Sequence, residues 1–385
     1  MNGTGRGRAV ALLLILMALC SSACRRQKTV APGYHEYAYV SNGKSNSISV
    51  LDLLELKNVK TIVVGAGPTG VAANPQRNEI YVANAESNNI SVIDAERNEV
   101  VGVIGVHRAP YDVSVSSDGK RAYVANSGSA NVSAIDLDRR VVVATVRVGG
   151  APGVAKVSPD GKLVVVSNRA DDTVSILDAE KLAVRDTVPV CRQPQDVVVL
   201  PDSSKAVVAC PGSNQLAAIE LKGDRVLALL DVGKLPVHLA LKPDGGELFV
   251  CNFDSNSFSI METGTNEVGG TYLVGNNPVR GVITSDNALL YVSNFGSDNV
   301  SVYAIDEGRV IGGVQVGSHP DAMALTPDET HLLVVNTRSG DVAVVRTVKT
   351  RDNSKISAER ALVTLIPVGN QPNDIVIKAF QVQAK

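Results

Sequence analysis

Arg192, Lys234, His238, Arg280 and His319 each stand within two residues of a proline, and those prolines, Pro194, Pro236, Pro278 and Pro320, are 42 residues apart. Arg108 holds the same place as Arg192, two residues before Pro110. Cations converging from successive copies of one unit suit an anionic ligand such as a carboxylate or a phosphate. His238 adds proton chemistry. An imidazole titrating near neutral pH beside Arg280 and Asp196 can act as a general base, and neighbouring cations would steady an oxyanion. A lactone-opening hydrolase needs both functions, so His238, Arg280 and Asp196 are the catalytic candidates. The plainer alternative has Asp112, Asp196 and Asp374, two residues after their own prolines, starting strands and pairing with the same cations.

Other chemistries find no purchase. No Cys-x-x-Cys-His occurs, nor a Gly-x-x-x-x-Gly-Lys loop, a Gly-x-Ser-x-Gly elbow, or histidine or carboxylate spacing for zinc or calcium. No metal site is expected. The chain has no Trp and five Phe, so stacking platforms for bases are scarce, and its net charge of −2 gives no electrostatic reason to bind nucleic acid. The lack of Trp also speaks against a tryptophan-docked quinoprotein.

The elements that must position these residues repeat. Tyr39-Val40-Ser41-Asn42 returns as Tyr81-Val82-Ala83-Asn84, Tyr123-Val124-Ala125-Asn126, Val165-Val166-Ser167-Asn168, Phe249-Val250-Cys251-Asn252, Tyr291-Val292-Ser293-Asn294 and Leu333-Val334-Val335-Asn336, with Val207-Val208-Ala209-Cys210 as a weaker copy. Each unit alternates apolar and polar residues in four short stretches separated by turn residues, and none shows a sustained 3.6-residue period. The reading is all-β: a single β-propeller of four-stranded antiparallel blades. The N-terminal copy lacks an innermost strand and the C-terminus ends on one, Asp374 to Phe380, so pairing the two closes a ring of eight blades and removes two open edges. Seven blades is the alternative, with one copy outside the ring. The propeller is expected over residues 34–381, with a ten-residue insertion inside the polar stretch Val348 to Glu359.

The tetrapeptide, the Asp closing the third strand and the Gly-x-x-Pro turn resemble the YVTN family of β-propeller repeat proteins. The resemblance implies a propeller, usually of seven blades, from cell-surface and periplasmic proteins, and says little about activity. The chain departs from it at Cys210, where Asn is expected, and at Cys191, where the turn Gly is expected. The copies also serve as their own control. Asn42 and its counterparts repeat and are expected to cap turns, and Asp52, Asp94, Asp136 and Asp178 to bond local N–H groups. Two residues after each turn proline the copies diverge, as Gly70, Asp112, Val154, Asp196, His238, Arg280, Ala322 and Asp374. Divergence at a channel-facing position marks where a ligand could bind.

Residues 1–23 have a basic start at Arg6 and Arg8 and a short apolar run from Ala9 to Leu19, the pattern of an export signal. Ser21-Ser22-Ala23-Cys24 resembles a bacterial lipobox, which would lipidate Cys24, and residues 24–33 make a tether. An exported chain permits disulfides, and Cys191 and Cys210 flank the first two strands of one blade, so they are the candidate pair, against three unrelated buried thiols with Cys251. The leading reading is an exported propeller in the bacterial cell envelope, periplasmic or on the outer membrane. A lipid anchor would be its only membrane contact. It would serve as a binding or interaction scaffold rather than an enzyme. Its channel mouth would take a protein partner or a small anionic molecule through Arg108, Arg192, Lys234, His238, Arg280 and His319. One alternative is the hydrolase with His238 and Arg280. Another is a carrier for a carboxylate-rich cofactor such as a tetrapyrrole. No cofactor is predicted under the leading reading.

Overall fold

A computed structural model describes residues 31–347 and 361–382. The export signal, Cys24 and the expected insertion lie outside the described residues. Two compact units are distinguished. Of the unit formed by the two ends, residues 31–34, 381 and 382 are described, and within it the Val382 N–H donates to the Gly33 carbonyl at 2.8 Å. The other unit, His35–Phe380, carries the site.

That unit is a ring of eight four-stranded antiparallel sheets. Blades 2 to 8 are continuous in sequence and open on the innermost strands Pro68–Ala73, Pro110–Val115, Pro152–Val157, Val197–Val199, Pro236–Leu241, Pro278–Ile283 and Pro320–Leu325. Blade 1 is composite: its innermost strand is the C-terminal Pro372–Gln381, paired with Tyr34–Asn42, then Ser47–Asp52 and Lys57–Val63. The seam is also held by side chains, for the Ser41 hydroxyl donates to Asn373 Oδ1 at 2.5 Å.

Burial explains why the tetrapeptide is the strongest repeat. In blade 2 the second strand, Glu79–Asn84, buries five of its six residues, whereas the outermost, Glu99–Gly105, buries one. Neighbouring blades cover the second and third strands on both faces, so both side-chain directions must be apolar or small. Tyr81, Ala83, Ile90 and Val92 of blade 2 thus pack with Val113, Ala122, Val124 and Ile135 of blade 3 in one cluster. Burying each valine or isoleucine side chain among them stabilises by roughly 1.5–3 kcal/mol.

The tetrapeptide asparagines donate within their own blade. Asn84 Nδ2 donates to Ser91 Oγ at 2.9 Å and Asn89 Oδ1 at 2.8 Å, and Asn126, Asn168, Asn252 and Asn294 make matching bonds. Asp94 Oδ1 accepts the Glu96 and Arg97 N–H groups. Six of the turn glycines approach the asparagines so closely that a Cβ on Gly65 would lie 2.7 Å from Asn84 Cβ. Blade 5 replaces that Gly/Asn pair by a Cys191–Cys210 disulfide, and Cys251 is a buried free thiol. Blade 3 departs too, with His107 where the glycine stands elsewhere; its ring is exposed and bonds Thr145 Oγ1 at 3.0 Å.

Candidate functional site

Proline starts an innermost strand well because it fixes φ and needs no hydrogen-bond acceptor there. The residues that follow it then line the central channel. Gly70, Asp112, Val154, Asp196, His238, Arg280 and Asp374, all two residues after their prolines, border one cavity of about 470 Å³ together with Lys156 and Asp321. That volume falls in the range of small-molecule sites, roughly 300–1,000 Å³. Tyr111, Leu235, Val237, Phe253 and Val279 give the same cavity apolar and aromatic surface. The wall is therefore charged and part of its lining is apolar.

Most of the charged groups have structural partners in the next blade. Asp374 Oδ2 accepts the Val71 N–H at 3.0 Å, Asp196 Oδ2 accepts the Leu239 N–H at 2.9 Å, and His238 Nδ1 accepts the Gly281 N–H at 3.3 Å. These are one device used three times: the side chain two residues after the proline straps the innermost strand that follows. Lys156 Nζ meets Asp112 Oδ2 at 2.9 Å. Arg280 and Asp321 differ. Among the described residues neither side chain has a hydrogen bond or lies within ion-pair distance of an opposite charge, although both line the cavity.

Electrostatics follow from burial. It raises the Asp196, Asp321 and Asp374 carboxyls above the ordinary value, against the opposing pull of nearby cations. The Asp112 carboxylate raises Lys156. Burial opposes the charge on Arg280, but the fields of Asp374, Asp321 and Asp196 outweigh it. His238 is held well below its ordinary range by burial, with the Arg280 and Lys156 charges adding to it. Its imidazole is neutral. Because a backbone N–H can only donate, Nδ1 must accept from Gly281, and the ring proton sits on Nε2.

Of the six cationic candidates, His238 and Arg280 line the cavity. Arg108, Arg192 and Lys234 are exposed in the turns, where Arg192 donates to the Gly212 carbonyl at 2.6 Å. His319 stacks on Phe295 at 4.3 Å between ring centroids, and Phe295 lies 6.4 Å from Phe253. An aromatic row thus runs across blades 6 to 8, and across the mouth Arg169 stacks over Tyr111 at 5.2 Å. Sequence reasoning did not bring in Lys156, Asp321, Tyr111 or Phe253. Lys156 had a signal: it lies two residues beyond Val154, so strand alternation puts both on one face.

The sequence profile described as the cytochrome D1 heme domain matches residues 74–360. Among solved structures, Kuenenia stuttgartiensis hydrazine synthase is 21% identical, covers 73% of this chain and 96% of its own, and superposes with a TM-score of 0.60. The dihydro-heme d1 dehydrogenase NirN, in complex with DHE, is 15% identical over 88% of this chain and 74% of its own, with a TM-score of 0.73. A functionally unknown protein from Desulfotomaculum acetoxidans is 15% identical over 89% and 98%, with a TM-score of 0.59. At these identities the likeness shows the propeller fold alone. No curated protein matches by sequence. Of the resemblance drawn from the tetrapeptide, the matches carry the propeller of repeats. The prediction of no cofactor is corrected: the profile that spans most of the chain is that of a heme domain. A group held without thioether bonds leaves no Cys-x-x-Cys-His behind, and of the sequence readings only the alternative of a tetrapyrrole carrier allowed for one.

Proposed function

We propose that this chain, which belongs to the cytochrome D1 heme domain family, binds a carboxylate-bearing tetrapyrrole in the mouth of its channel. The observation that carries the reading is Arg280, a guanidinium lining the cavity with no hydrogen bond or ion pair among the described residues. Five N–H donors in a planar fork suit a carboxylate in two-point contact, and leaving them unused in a largely desolvated wall is costly. The residues fit the organic part of the group. Arg280 would hold a carboxylate, and Tyr111 and Phe253 would give the ring apolar contact.

A tetrapyrrole supplies an extended π system and, when it carries iron, redox chemistry. The chain's own groups bind and orient it. A binding role is favoured over hydrolysis because His238 spends its lone pair on the Gly281 N–H and has no free one to take a proton from water. The leader pattern of residues 1–23 and Cys24 supports an exported, lipid-tethered binder. Absorption titration of the purified chain with iron protoporphyrin IX tests the reading. Arg280→Gln is expected to weaken binding by about 10- to 100-fold, the worth of a hydrogen bond to a charged group. Equal affinity with and without the guanidinium would overturn it.

A further inference from the structure

His238 is the one imidazole among the cavity-lining residues, and its ring orientation decides what it offers a bound ligand. At the equivalent place in two other blades stand Asp196 and Asp374, which use a carboxylate oxygen to accept the N–H of the next innermost strand. His238 does the same job with Nδ1. A carboxylate can accept on both oxygens, but a neutral imidazole that accepts on one nitrogen must carry its proton on the other. Nε2 is therefore a donor, and no bond to it is made by the described residues. Arg280, at the same position of the adjacent blade, is a second, charged donor on this wall whose side chain has no hydrogen bond or ion pair among the described residues.

We propose that His238 Nε2–H and Arg280 form a donor pair that clamps one carboxylate of the bound tetrapyrrole, and that His238 is not an axial ligand of its iron. The inference rests on the tetrapyrrole reading above and deepens it. Ligation through Nε2 would require the proton to move to Nδ1, which faces the Gly281 N–H, so the strap between blades 6 and 7 would have to break. As a donor, the imidazole keeps that strap and adds a hydrogen bond to the ligand. Specificity then lies in the carboxylate, and affinity does not depend on the metal.

The test compares three probes on the purified chain: iron protoporphyrin IX, metal-free protoporphyrin IX and the dimethyl ester of the latter. The two free acids are expected to bind within about threefold of each other and the ester about tenfold or more weaker, the loss of one charge-assisted contact. His238→Ala should weaken both free acids alike, by about tenfold. His238→Gln should hold within about threefold, because its carbonyl can accept the Gly281 N–H while its amide donates to the ligand. Thermal unfolding of both variants shows whether the fold persists, and the glutamine variant keeps the test decisive if the alanine variant unfolds. The clamp is overturned if iron protoporphyrin binds tenfold tighter than the metal-free ring, with a nitrogen-ligated absorption spectrum that both His238 variants abolish. If none of the three probes binds, the tetrapyrrole reading fails and the clamp with it.

Discussion

The belt of buried asparagines and the wall of the channel sit side by side, for Pro68 pairs with Asn84 and Gly70 with Ala83 across adjacent strands. They are nonetheless built in opposite ways. The belt repeats one residue type and donates inside each blade, as Asn84 does to Asn89 and Ser91. The wall changes residue at each copy and bonds outward to the next blade, as Asp374 does with Val71. Uniformity with inward bonding makes a scaffold. Variety with outward bonding makes the wall a place where blades meet and where a ligand can be read. Arg280 and Asp321 mark the limit, since they bond to neither.

The largest effect should come from breaking the belt where it is covalent. Cys191→Ala with Cys210→Ala removes a cross-link between residues 19 apart and is expected to cost about 3 kcal/mol in urea unfolding. Cys191→Gly with Cys210→Asn should recover part of that, because it rebuilds the pair found in six other blades. If it recovers nothing, blade 5 is not a variant of the same belt. Asn84→Ala comes next. It strips Ser91 and Asn89 of their donor and should cost about 2 kcal/mol while leaving porphyrin affinity unchanged.

The wall should reveal itself through pH. Folded His238 stays neutral below about 6.5, where the unfolded imidazole takes up a proton. Its contribution to stability is thus lost as pH falls from about 6.5 towards the depressed folded value, by up to about 1.4 kcal/mol per pH unit. Asp196, Asp321 and Asp374 act in the other sense. Their raised folded values mean that the folded chain binds protons more readily, so their contribution is lost as pH rises through those values. Urea midpoints across pH should show His238→Gln flattening the first slope and sparing the second. The smallest effect belongs to the turns: Arg108→Ala and Lys234→Ala should shift stability by less than about 0.5 kcal/mol.

The scaffold was legible in the sequence because a 42-residue repeat encodes each blade locally, and because a missing first strand and a surplus last one announce the composite blade. The wall was legible only at one register position. Two residues after the proline, alternation aims Asp112, Asp196, His238, Arg280 and Asp374 inward. Two residues before it, Arg108, Arg192 and Lys234 lie in turns, where proximity in sequence gives no direction. One residue after it the copies diverge just as widely, through Thr69, Tyr111, Gln195 and Asp321, and that position was passed over because a strict two-residue period assigns it to the opposite face. Pairing is irregular there: in blade 8 it resumes only at Met323, which leaves Asp321 free of the regular ladder. The protonated nitrogen of His238 could not be read at all, since it depends on an N–H from a different repeat.

The composite first blade also sets an order of events during synthesis. Strands Tyr34–Asn42, Ser47–Asp52 and Lys57–Val63 leave the ribosome first, yet their inner edge stays unpaired until residues 372–381 are made. Blades 2 to 8 can form as local hairpins while this edge waits, with contacts such as Ser41 to Asn373 spanning 332 positions. For that interval the nascent chain presents a sticky strand next to an unfinished ring, the kind of surface that chaperones cover.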